Sequence, residues 1–188
     1  DDRDRPRAIR AQLTLAEFDG EEPSETVIQA GLEADRTSKD LRDHFLYLFS
    51  ERAPAALSSS VISQLKEGKS VYRAQRYLID LSDEARDVIY KYLIGEKKDR
   101  YSDRELAKFL TTAHVRAILN EAIELDRAIE GTHWKETKAE REQFGLLVDL
   151  LNYSDPHRLI QVLINTPVDN GATASFLCER VKNWQGAD

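Results

Sequence analysis

The sequence predicts an all-α protein, and three observations carry that expectation. Apolar residues recur at helical spacing through most of the 188 positions, strand signals are nearly absent, and glycine (8) and proline (5) are sparse. Apolar content of 41% is enough for a core, and 32% charged residues give a solvated surface. The length fits one domain or two small ones.

The elements follow in order. Ala8–Phe18 reads as a short helix on Ile9, Leu13, Leu15 and Phe18, broken by Asp19-Gly20-Glu21-Glu22-Pro23. Ser24 is an N-cap for SETVIQAGL, with Glu25 in the first turn. Leu32–Asp35 is a tight connection. Thr37 then caps a helix with Asp40 at N3 and an apolar stripe of Leu41, Phe45, Leu46, Leu48 and Phe49. Pro54 marks a boundary. A helix from about Ala55 to Glu67 carries Leu57, Val61, Ile62 and Leu65, and Gly68 suits the residue after its end. Ser70 is expected to cap a further helix, with Val71, Ala74, Tyr77 and Leu78 inward, and Ser82 opens DEARDVIYKYLI, ending at Gly95. The charged stretch Glu96–Arg100 reads as a linker.

Beyond it, Ser102-Asp103-Arg104-Glu105 is an S-x-x-E capping box. It predicts one long helix from 103 to about 130, on Leu106, Phe109, Leu110, Ala113, Ala117, Ile118, Ala122, Leu125 and Ile129. Gly131 ends it. Thr137 and Glu140 predict a second box before EQFGLLVDLLNY. Asp155-Pro156 is an N-cap followed by proline at N1, opening HRLIQVLIN, which Pro167 closes. A last helix is expected from about Asn170, with Ala174, Phe176, Leu177, Val181 and Trp184.

Composition narrows the function classes. No run of about 18 apolar residues predicts a membrane span, and DDRDRPRAIR has no signal-peptide core. The lone Cys178 leaves no internal disulfide and fits a reducing, cytoplasmic compartment. The chain has no methionine and begins with Asp, which predicts a fragment or processed piece. His44, His114, His133 and His157 lack ligand-type spacing, and no nucleophile elbow, phosphate loop or dinucleotide fingerprint occurs. No catalytic residue, metal ligand or cofactor is expected.

Positive charge concentrates at one place. Lys66, Lys69, Arg73 and Arg76 fall within eleven residues, with only Glu67 against them, in a chain of net charge −7. Upstream, Arg36, Thr37, Ser38, Lys39 and Arg42 lie on the first turns of a helix over about 36–49, opposite its apolar stripe. A recognition helix reads base edges with such N-terminal residues. Lys66, Lys69, Arg73 and Arg76 would then hold phosphates, helped by free amides at a helix N-terminus at Ser70. Against that, Asp35, Asp40 and Asp43 offset the upstream cations, as on any solvated helix face.

The order of segments over about residues 24–90 resembles the helix-turn-helix domain of ParB/KorB-type partition proteins. SETVIQAGL resembles the first helix, RTSKDLRDHFLYLF the recognition helix, and APAALSSSVISQLKEGK the support helix ending at Glu67-Gly68-Lys69. SVYRAQRYLIDLSDEA resembles the family's S-x-x-H-A-R-x-L-L segment; Ala74 and Leu78 match, while Arg73 and Gln75 replace His and Arg. The family's nucleotide-binding motifs are not in the chain, so no CTP site carries over. The resemblance implies a DNA-binding domain at 20–100 acting in plasmid or chromosome partition or transcriptional control. Double-stranded DNA would be the partner and the nucleoid or a plasmid the location. Residues 101–188 are then expected to form a helical bundle-like region for packing or homodimerisation. The rival expectation is an acidic all-helical subunit or adaptor of a larger protein assembly, without DNA contact.

Overall fold

In the computed structural model, residues 8–9, 11–12, 19, 23–24, 26–28, 39–71, 74–79, 81–95 and 103–166 are described; within 39–45 the description covers the backbone alone. The protein is all-α, and there is no strand among the described residues. Six α-helices are described: α1 (Lys39–Arg52), α2 (Pro54–Lys66), α3 (Asp83–Ile94), α4 (Thr112–Ile129), α5 (Lys138–Tyr153) and α6 (Pro156–Ile164). Two 3-10 segments accompany them, Ala74–Tyr77 and Arg104–Phe109. The chain forms two compact units, Asp1–Val88 and Ile89–Asp188, divided within α3. The expected linker, 96–100, lies outside the described residues, as do Leu32–Asp35, Cys178 and the last expected helix.

In the first unit, Ser24 opens a helical turn, its carbonyl accepting from the amides of Val27 and Ile28, both buried. α1 buries Leu46 and Phe49. Its register ends because proline disfavours helical backbone in the residue before it; Ala53 takes φ −145°, and Pro54 occupies the first turn of α2. α2 buries Leu57, Val61, Ile62 and Leu65, the expected stripe. Gly68, at φ 71°, closes it in a Schellman motif. The Gly68 amide donates to Leu65 and the Lys69 amide to Gln64, satisfying two orphan carbonyls. α1 packs on α2, and both pack on the first 3-10 turn.

Here the structure departs from expectation. Lys69, Ser70 and Val71 are not helical, and the helix expected from Ser70 is represented among the described residues by one 3-10 turn. The apolar positions still face inward: Val71, Ala74 and Leu78 are buried and Tyr77 is half-buried. Ser82 caps α3 as expected, accepting from the Ala85 amide at 3.2 Å.

The second unit is built on an α4–α5 hairpin, with α6 against α4 and the second 3-10 segment against α5. Leu119, Ala122, Leu147, Leu150 and Leu151 are fully buried. The single helix expected over 103–130 is broken. Leu110 is extended (φ −61°, ψ 143°) and fully buried, and Thr111 starts a new helix. Two local bonds explain the break. The Thr111 hydroxyl accepts from the His114 amide, and His114 Nδ1 accepts from the Thr111 amide, a capping box with histidine at N3. The Leu110 carbonyl is taken by the Arg158 guanidinium. The break resets the helical phase, so Ala113 and Ala117 are exposed while Val115, Ile118 and Leu119 are buried.

Asp103 does not cap the 3-10 segment; it is buried and accepts from the Tyr92 hydroxyl at 2.5 Å. Thr137 makes no side-chain cap either. Its hydroxyl meets Thr132 Oγ1 at 3.1 Å and Arg141 Nε at 3.0 Å instead. Asp155 does cap α6, accepting from the Arg158 amide, with Pro156 at N1 as expected.

Candidate interaction surface

Of the ten residues singled out for DNA contact, Arg36, Thr37, Ser38 and Arg73 lie outside the described residues, and Lys39 and Arg42 are described by backbone alone. Lys66, Lys69, Ser70 and Arg76 are exposed, from the last turn of α2 to the first 3-10 turn. Both lysines have acidic neighbours within ion-pair reach. Lys69 Nζ lies 2.6 Å from Glu67, and Lys66 Nζ 3.9 Å from Glu84. Glu84 comes from the first turn of α3, beside Asp83. Two of the three described cations of the cluster, Lys66 and Lys69, therefore each have a carboxylate within 4 Å. Acidic residues in the first turn of α3 complement its helix dipole, which gives Asp83 and Glu84 a local reason to be there.

The same lysine borders an open groove of about 540 Å3 within the first unit. One wall is a continuous stripe of α2: Ala55, Ser58, Ser59, Ile62, Ser63 and Lys66, at i, i+3, i+4, i+7, i+8 and i+11. That spacing places them on one helix face. The opposite wall is Ile79, Leu81, Ser82, Ala85 and Val88, with Glu84 at its edge. Small side chains along α2 leave the trough open. Ile79 stands half out of the protein, 50% exposed. The serine run of the sequence splits by helix phase. Ser58 and Ser59 line the groove, while Ser60 is fully buried. The hydroxyls of Ser58 and Ser60 are buried without a hydrogen-bond partner among the described residues. The groove combines apolar side chains, serines on both walls and one charge of each sign at its edge.

A second exposed feature tops the α4–α5 hairpin. Trp134 is 57% exposed, with Lys135 5.8 Å from its ring centroid and the His133 ring at 6.3 Å. The turn beneath is braced. The Arg141 guanidinium donates to the carbonyls of Ile129 (3.2 Å) and Thr132 (3.1 Å) and to the Thr137 hydroxyl. Thr132 Oγ1 donates to Ile129 at 2.7 Å, and Gly131 supplies φ 72°.

Tyr90 stacks on His114 with ring centroids 4.5 Å apart and planes 4° apart. Burial, and then the Glu121 carboxylate, raise the Tyr90 pKa above its ordinary value. Among the described residues no cluster of His, Cys, Asp or Glu could hold a metal ion, and no helix is long and apolar enough to cross a membrane.

Sequence reasoning did not anticipate the groove, Glu84 opposite Lys66, or Trp134. The α2 stripe is legible in retrospect as small residues at helical spacing. The Lys66–Glu84 approach joins residues far apart in sequence and left no local signal. Comparison with family models, curated proteins and solved structures yields no match to this chain.

Proposed function

We propose that this chain is an acidic, all-helical subunit of a larger assembly whose partner is a protein, docked at the α2–α3 groove. One observation carries the reading: the groove presents a half-exposed Ile79 and a small-residue helix face, beside cations that already face carboxylates. Apolar surface removed from water stabilises by roughly 25 cal/mol per Å2, which a protein partner can supply and a phosphate backbone cannot. The net charge of −7 points the same way, because long-range repulsion slows approach to a polyanion.

Duplex DNA is the second reading, and it too has an observation behind it. Lys66, Lys69, Ser70 and Arg76 are all exposed, and exposed ion pairs are worth about 0–1 kcal/mol, little enough for phosphates to displace. In this reading the protein is a DNA-binding factor resembling partition proteins.

One titration separates the two. Fluorescence anisotropy of a labelled random-sequence duplex is measured from about 20 to 200 mM salt, with wild type, Lys66→Glu/Lys69→Glu and Glu67→Gln/Glu84→Gln. The protein-docking reading expects no binding by any of the three. Binding that falls steeply with salt, is lost in the lysine variant and strengthens in the carboxylate variant overturns it in favour of DNA.

A further inference from the structure

We infer that the occupant of the groove is a second copy of this chain, which inserts Trp134; this rests on the protein-docking reading above. Single exposed apolar residues are ordinary on protein surfaces, so exposure alone says little. Trp134 differs in how it is held. The turn that carries it is fixed by the Arg141 fork, by Thr132 and by the left-handed Gly131. A braced loop offers its ring without the ordering cost that a floppy one meets on binding. Tryptophan, with tyrosine and arginine, is enriched among the energetic anchors of protein interfaces, which sit in well-packed pockets.

The receiving site matches in chemistry. An indole brings apolar surface and one N–H donor. The groove offers Ile62, Ile79 and Val88 for the ring, and serine hydroxyls as acceptors for the N–H. Charge matches as well. Trp134 is followed by Lys135 and Glu136, one of each sign, and the groove edge carries Glu84 and Lys66, again one of each. Lys135 meets Glu84 and Glu136 meets Lys66 in the seated arrangement. The turn is also poorly suited to a polyanion, since Glu130, Glu136, Glu140 and Glu142 outnumber Lys135, Lys138 and Arg141. Plug and socket are made of different residues, so copies either close as a reciprocal two-fold pair or continue head to tail along a row.

The test is the mass in solution of the full chain, by sedimentation velocity from about 1 to 200 μM, a range that spans ordinary micromolar association. Wild type is expected to exceed monomer mass at the upper end. Trp134→Ala removes the plug and Ser59→Arg fills the socket. Each variant alone is expected to weaken association by about thirty-fold or more, the scale of an interface anchor. Both positions are exposed, and circular dichroism checks that each variant keeps its helices. The decisive sample is the mixture. Trp134→Ala still has a socket and Ser59→Arg still has a plug, so equimolar mixing restores association that neither shows alone. A monomeric wild type at every concentration overturns the inference, leaving the DNA titration to judge the broader reading. An associating wild type whose variants do not complement overturns it too, because Trp134 then acts elsewhere.

Discussion

Gly68 and Gly131 show what single residues do here. Both sit in the left-handed region, at φ 71° and 72°, where a Cβ crowds its own residue's carbonyl. Beyond its own chain neighbours, a Cβ at Gly131 would meet nothing within 4 Å, so the whole penalty is conformational. Gly131→Ala should cost about 1 kcal/mol by urea unfolding, with Gly131→Asn cheaper because asparagine tolerates that region. Tyr90 gives a pH-dependent counterpart. Its folded pKa is raised, so its contribution to stability is fully present below the ordinary tyrosine value of about 10 and is lost as pH rises past that toward the folded value. Tyr90→Phe should flatten the alkaline limb of a stability profile between about pH 9 and 11, the range around the tyrosine value. An unchanged limb would assign the alkaline loss to other groups.

At the scale of elements, helix ends set by familiar local devices were legible, and those set by an unfamiliar local partner or by a distant group were not. Pro54 at the start of α2, Gly68 at its end, Ser82 before α3 and Asp155-Pro156 before α6 are local devices, and each acts as its residue types imply. The break at Leu110 was not legible. Its reciprocal cap uses histidine where the familiar pattern has Glu or Gln, and the Leu110 carbonyl is satisfied by Arg158, which is remote in sequence. The box read at Thr137 failed for a local reason, because its hydroxyl is engaged by the nearby Thr132 and by Arg141 Nε. Thr111→Ala should therefore cost α4 about 1 kcal/mol, as caps ordinarily do. Thr137→Ala should instead leave helix content unchanged and loosen the turn at Trp134. Amide exchange at Thr132–Glu136, measured in both variants, distinguishes these effects.

For the whole molecule, the all-α class followed from composition and periodicity, but the candidate site did not. A charge cluster read along the chain is one-dimensional, and folding brings Glu84 to Lys66 from an element the count did not include. The groove likewise depends on α2 and the 79–88 segment facing each other, a juxtaposition that no spacing rule encodes.

The α4–α5 hairpin has a consequence for how the second unit is made. Its helices are joined by a short turn and bury Leu119, Ala122, Leu147 and Leu150, so these contacts close small loops. Contacts of low sequence separation form early and fast, because little chain entropy is lost in making them. The hairpin is thus the natural nucleus of its unit, and the Arg141 brace doubles as a latch on that nucleus. Arg141→Ala should slow refolding more than it speeds unfolding, a kinetic signature of a contact already made at the barrier.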